Sequence, residues 1–225
     1  MKRIRLISMG LMVLMTGSRA MAQKNVTDGT IVYEIEITST NPNLKPSSTP
    51  ASLTVYLKGG SSRTDQVTFL GNETNIHDGK SGTGVILKEF SGQKLMITLT
   101  KDDWKEKNKG NKDNKFKFEL TDETKTIAGY TVKKAIGRSK DGKNTLVVYY
   151  APDLKIDYKD FDYAFEDLPG VAMEYEVESG QLKFKYTVTK LNFDPVVVSK
   201  FDYPKSGYRV MTYEENQQMR KGANQ

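Results

Sequence analysis

The feature that most restricts this chain is an alternation of apolar and polar residues sustained almost from end to end. Ile31, Tyr33, Ile35 and Ile37 alternate with Val32, Glu34 and Glu36, and Leu53, Val55 and Leu57 with Thr54 and Tyr56. Leu95, Ile97 and Leu99 alternate with Met96 and Thr98; Phe116, Phe118 and Leu120, then Leu182, Phe184, Tyr186 and Val188, repeat the pattern. A period of two sends every second side chain to the same side of an extended segment, so these runs are strands with one buried face. Strands are predicted at about 31–38, 51–58, 62–70, 73–77, 83–90, 93–100, 115–121, 127–136, 144–150, 170–178, 181–192 and 207–211. Gly59-Gly60, Ser91-Gly92, Asp141-Gly142 and Ser179-Gly180 separate successive runs. Glycine there permits the positive φ of tight hairpins, so sequence neighbours pair antiparallel. No internal repeat marks a propeller or solenoid. The simplest assembly is a mainly β fold, one large curved antiparallel sheet, because short connections then suffice.

Helical signals are few. Thr100 caps a segment with Asp102 and Asp103 in its first turn, Lys105 and Lys107 near its end, and Gly110 as its stop. Asp157 opens a second, whose residues Tyr158, Phe161, Phe165 and Leu168 fall on one helical face. Thr212 and Glu215 form a capping box for a third, running to about Arg220. Segment 39–50 contains Pro42, Pro46 and Pro50 and reads as an exposed loop.

Residues 1–22 read as a signal peptide. Lys2, Arg3 and Arg5 precede a short apolar run from Leu6 to Leu14, and Ala20-Met21-Ala22 supplies a small-residue cleavage pattern, so the exported chain begins at Gln23. Residues 23–225 are then a single β domain. No later stretch approaches the roughly 18 apolar residues of a spanning helix, which predicts a soluble periplasmic or secreted protein. With no cysteine and one histidine, the chain has no lipobox, disulfide framework, thiol nucleophile or Cys-ligated metal. The leader carries four cations, so 30 positive charges face 28 negative ones in the exported chain, a net of +2. The lysine-rich stretch from Lys101 to Lys117 is interrupted by Asp102, Asp103, Glu106 and Asp113 and has few aromatics. It reads as a solvated face and not a nucleic-acid groove.

Chemistry is hard to find. His77-Asp78-Gly79-Lys80-Ser81 ends like a phosphate-binding loop, but Thr74 stands where that motif needs Gly, and a strand follows where it needs a helix. No G-x-S-x-G elbow gives His77 a nucleophile. His77 therefore reads as a polar residue before an Asp-Gly turn, and His77→Ala is expected to leave stability and binding nearly unchanged. The pairs Asp102-Asp103 and Glu166-Asp167 read as helix-end residues, and no EF-hand loop appears. The chain is expected to be no enzyme, with no cofactor, no metal and no catalytic residue.

Tyr56-Leu57-Lys58-Gly59 with Arg63, Ile76-His77-Asp78-Gly79-Lys80 and the Ser91-Gly92 hairpin resemble, in that order, the elements of LolA-like proteins. Lys125 to Ala135, Val148 to Leu154, Leu168 to Glu174, and Pro204 with Gly207-Tyr208 resemble uncharacterised secreted Bacteroidota proteins related to the GLPGLI group. The resemblance implies a half-barrel whose concave apolar face holds acyl chains under a helical lid. It makes the chain a periplasmic carrier or sensor of an apolar ligand, a lipid or lipoprotein acyl chain. The rival expectation is an interaction module for an envelope protein, in envelope assembly or stress sensing, with no ligand. The inward rows, Ile31 among them, put Tyr33, Leu53, Val55, Leu95, Ile97, Phe184 and Tyr186 at the ligand, with Tyr158, Phe161, Phe165 and Leu168 as the lid.

Overall fold

A computed structural model describes residues 23–43, 49–110, 115–140, 142, 144–156, 158, 161 and 163–222. The signal peptide expected at 1–22 lies outside the described residues, as do residues 44–48 of the expected loop, Asp141 of one expected turn and Asp157, the expected helix cap. The strands are β1 (Lys24–Asn25), β2 (Asp28–Ser39), β3 (Ala51–Lys58), β4 (Ser61–Thr68), β5 (Gly71–His77), β6 (Gly84–Phe90), β7 (Gln93–Leu99), β8 (Phe116–Ile127), β9 (Tyr130–Ser139), β10 (Thr145–Ala151), β11 (Leu154–Lys155), β12 (Val171–Ser179), β13 (Leu182–Asn192) and β14 (Arg209–Thr212). Helix α1 spans Lys101–Gly110 and α2 spans Tyr213–Gly222.

Twelve strands form one sheet in the order β14-β7-β6-β5-β4-β3-β2-β13-β12-β10-β9-β8, antiparallel except for β14 on β7. β1 and β11 make a separate parallel pair. The sheet does not close, and β14 and β8 are its edges. Near its middle β2 pairs with β13, where Tyr33 faces Val188 and Phe184 faces Ile37.

The hairpins carry the turns expected at Gly59-Gly60, Ser91-Gly92 and Gly180. One boundary moves. The strand expected to begin at 127 instead ends there, because Ala128 and Gly129, both at positive φ, make the tight turn from β8 to β9. Both capping boxes form. The Asp103 N–H donates to Thr100 Oγ1 at 3.2 Å while the Thr100 N–H donates to Asp103 Oδ2 at 2.9 Å, and Thr212 and Glu215 repeat the arrangement on α2.

The second expected helix does not form. Tyr158 and Phe161 lie in irregular chain, and only Tyr163–Phe165 makes a single 3-10 turn. Its aromatic side chains go to three places, to His77, to the sheet under β2 and β3, and to the cluster over β10, which one straight helix face cannot reach.

The inner face is concave. Strands β5 and β8 stand eight steps apart in the sheet, about 38 Å if it were flat, yet Asn75 of β5 and Phe116 of β8 line one cavity. Most of the core lies on this face. Ile31, Tyr33, Val55, Tyr186 and Val188 anchor one cluster, and Ala135, Val148, Tyr150, Phe165 and Leu168 a second beside it. Ile86, Ile97, Leu99, Met211 and Trp104 form a third under α1. A fourth, Val85, Leu87 and Met96, lies on the outer face under Tyr203 and Tyr208.

Candidate functional site

The strand registers divide the concave face into three zones. Tyr33 pairs with Leu53, Leu53 with Gln66, Gln66 with Glu73, Glu73 with Lys88 and Lys88 with Leu95, so these six stand in one row across the sheet. The next row runs Ile31, Val55, Thr64, Asn75, Ile86, Ile97. Both begin apolar, turn polar on β4 and β5, and end apolar. The inner face therefore has two apolar walls separated by a polar seam.

The wall on the β2 side is roofed by irregular chain. After β11 comes Tyr158, whose hydroxyl is hydrogen-bonded to Nδ1 of His77 on β5, in the seam itself. The chain returns through Phe161 to Phe165 and Leu168 over β10. Lys115, just before β8, fastens its end by ion pairs to Glu166 at 3.0 Å and Asp167 at 3.2 Å. Pro169 and Gly170 then lead into β12. Gly170 is needed there for closeness and not for positive φ, since a Cβ would collide with the Ala151 carbonyl and the Tyr150 ring.

Beneath this strap lies a cavity of about 310 Å³ lined by Tyr33, Leu53, Val55, Tyr175, Tyr186, Phe161 and Phe165, with Thr64, Gln66 and Asn75 at its seam side. Phe165 meets Tyr175 edge-on at 4.7 Å, and Tyr175 stacks on Tyr186 at 4.8 Å, a geometry that favours aromatic pairs. Tyr33, Leu53, Val55, Tyr186, Phe161 and Phe165 thus come together at one cavity. Leu95 and Phe184 meet at another, of about 510 Å³, beside Leu70, Phe90 and Met219. Ile97 is fully buried beneath Trp104. Leu168, 1% exposed, packs over β10, and Tyr158 reaches His77.

The wall on the β7 side is sealed by α1. Trp104, expected on a solvated face, is 4% exposed and packs on Ile86, Ile97 and Leu99. Gly84 makes room for it, since a Cβ there would run into the indole. His77 is buried as well. Its ring stacks on Trp104 at 4.5 Å and on Tyr158 at 5.6 Å, which corrects its reading as an idle residue before a turn. The turn itself is real, with Asp78 Oδ1 accepting the Lys80 N–H at 2.9 Å; that bond first, then one from Ser81, holds the Asp78 carboxyl below its usual range.

Between the walls, Lys88 pairs with Glu73 at 2.8 Å, and Asn75 Nδ2 donates to Glu73 Oε1 at 2.9 Å. Burial pushes the Glu73 carboxyl up, but Lys88, helped by Asn75 and Lys107, outweighs this and leaves it below the usual range. Lys107, 4.6 Å over the Trp104 ring, is pushed down, chiefly by burial. Apolar alternation does not reveal the seam. Its signal is the polar alternation of Ser62, Thr64 and Gln66 and of Glu73, Asn75 and His77.

No family model matches this chain, and no curated protein does. Among solved structures it is similar to PNGF-II in two crystal forms, each with a TM-score of 0.46 and 16% identity, over 83% and 86% of this chain. The chain spans about a third of the PNGF-II length, 32% and 33% in the two forms. It is also similar to LprF from Mycobacterium bovis, with a TM-score of 0.35 and 9% identity, over 76% of this chain and 88% of that one. A β-barrel-like DUF1849 protein from Brucella abortus gives a TM-score of 0.28 and 8% identity, over 76% of this chain and 99% of that one. None of these reaches a TM-score of 0.5. The chain has the mainly β fold expected of it, one large, mostly antiparallel sheet that does not close into a barrel. Among the described residues, no helix is long and apolar enough to cross a membrane.

Proposed function

We propose that the chain is a non-enzymatic carrier or sensor that holds an apolar ligand, a lipid or a lipoprotein acyl chain, in the concave face beneath the strap. The observation that carries this reading is the cavity of about 310 Å³ walled by Tyr33, Leu53, Val55, Tyr175 and Tyr186 and roofed by Phe161 and Phe165. Ligand pockets run upward from about 300 Å³, and an apolar void of about 150 Å³ already takes up benzene. A closely packed core leaves no such space, because each missing contact costs dispersion energy. This reading takes residues 1–22 as an export leader and the carrier as periplasmic, and it is supported by the resemblance of the Leu168-Pro169-Gly170 step to the GLPGLI-related proteins.

The test is mass spectrometry of organic extracts of protein purified gently from a bacterial periplasm, beside an export control of similar size. A stoichiometric lipid present only with this chain is the expected result. A clean extract, repeated after incubation with envelope lipids, overturns the reading. It favours the rival interaction module, for which Val197 and Val198, 62% and 70% exposed, offer an apolar patch.

A further inference from the structure

Buried polar groups are ordinarily paired, because one left unpaired loses the hydrogen bonds it made to water. Among the described residues, three buried side-chain atoms have no hydrogen-bond partner within the protein: Asn75 Oδ1, Trp104 Nε1 and Asn108 Oδ1. All three lie on the seam or on the helix that borders it. Asn75 already gives its amide to Glu73, so its oxygen is the open acceptor. Trp104 and Asn108 are one turn apart on α1, and Asn108 is 5% exposed.

Charge at the seam is uneven. A neighbouring pocket of about 490 Å³ is lined by Lys88, Lys107 and Arg220 against Glu73 and Glu106. Glu73 is already engaged by Lys88. Lys107 lies over the Trp104 ring, makes no ion pair among the described residues and shares the attraction of Glu73 with Lys88. Ordered water can satisfy the amide oxygens and the indole N–H. It cannot neutralise a half-buried ammonium.

Distance completes the picture. From Leu53, at the apolar cavity, to Lys88 is three strand steps along one row, about 14 Å and less across a concave face. An extended chain advances about 1.2 Å per bond, so roughly ten to twelve bonds cover that span.

We propose that the ligand is a single-chain amphiphile with an anionic head, a carboxylate or a phosphate. Its chain lies under Phe161 and Phe165, and its head reaches Lys107 and Arg220 in the neighbouring pocket. This rests on the apolar-ligand reading and adds to it the ligand's charge, polarity and orientation. Trp104 is the sole tryptophan of the chain, so its emission reports on the head site directly.

The experiment titrates the protein with laurate, dodecyl phosphate and dodecanol, read by calorimetry and Trp104 fluorescence. At least one anion is expected to bind about tenfold or more tighter than dodecanol, the gain of a charge-assisted contact. The tighter of the two anions identifies the head. In Lys107→Gln this preference should vanish. Arg220→Gln, at the exposed end of α2, should weaken the preference at a position that bears no packing. Dodecanol binding as tightly as both anions, or a preference that survives Lys107→Gln and Arg220→Gln, overturns the head site and leaves the apolar reading standing. If none of the three binds, the apolar reading fails and this inference with it.

Discussion

The two apolar walls of the concave face are built from the same kind of strand yet covered in opposite ways. On the β7 side a capped helix presses one large indole onto Ile86, Ile97 and Leu99, and a glycine on β6 clears its place. On the β2 side an irregular strap lays down aromatics at separate points and leaves about 310 Å³ open between them. A helix repeats every 3.6 residues and gives its partner a continuous ridge, so it seals. A strap with one 3-10 turn makes contact only where a side chain happens to reach. Space for a ligand follows from the irregularity of the cover, not from any shortage of apolar residues beneath it.

Substitutions can break this contrast in order of size. Trp104→Ala should lose about 3–5 kcal/mol in denaturant unfolding, the usual cost of truncating a buried large aromatic. A loss near 1 kcal/mol would mean that α1 is no seal. Gly84→Ala should cost about 1–3 kcal/mol through the same indole, because the added carbon has nowhere to go. Phe161→Asp should cost about 2 kcal/mol, since Phe161 is only half-buried, while abolishing uptake of a dodecyl probe. If instead it unfolds the chain as severely as Trp104→Ala, the strap is part of the core and the two covers are alike.

His77 joins the two regions, and its replacement sharpens the comparison. His77→Ala should cost about 2 kcal/mol and speed ligand exchange. Tyr158→Phe, which keeps the ring and loses the hydroxyl, should cost about 1 kcal/mol with the same effect on exchange. Unchanged exchange in both variants would show that the strap is held elsewhere.

The smallest effect is on the outer face, where the Tyr208 hydroxyl donates to Glu89. This bond pushes the Tyr208 phenol up to about 12 and the Glu89 carboxyl down. Tyr208→Phe should cost up to about 1 kcal/mol at neutral pH, kept small by partial exposure. A carboxyl lowered by folding contributes above its unfolded pKa, and that contribution disappears as acid protonates it in the fold. The difference between wild type and Tyr208→Phe in thermal melts should therefore shrink below about pH 4, the ordinary glutamate range. A difference that grew in acid would contradict the assignment.

Most of the strands were legible because alternation is a local signal. β3 occupies the predicted 51–58, and both capping boxes form where Thr and an acidic residue stand three apart. The β8 to β9 turn was hidden because Ala128, not a glycine, takes one of its positive-φ positions. The strap was misread because 158, 161, 165 and 168 have helical spacing. Aspartates and aromatics are weak helix formers, and a short helix is marginal unless packing rewards one face. Here packing rewards three separate destinations. Of the site, the apolar wall and part of its roof were legible as rows and a stripe. The polar seam and the inward turn of Trp104 depend on strand register and on the placing of α1, which no local pattern carries.

The pairing of β2 with β13 has a consequence for folding. β2 to β7 follow one another as hairpins that can form as soon as each is made, and β8 to β10 and β12 to β13 are equally local. The contact of Tyr33 with Val188 joins segments at opposite ends of the chain, and closing so long a loop is slow. The cavity straddles that join, with Tyr33 and Leu53 from one half and Tyr175 and Tyr186 from the other. The cavity under the strap is therefore expected to be assembled last, from two halves that each display an apolar face until they meet, and under the proposed function an amphiphile present at that moment would act as a template for their docking.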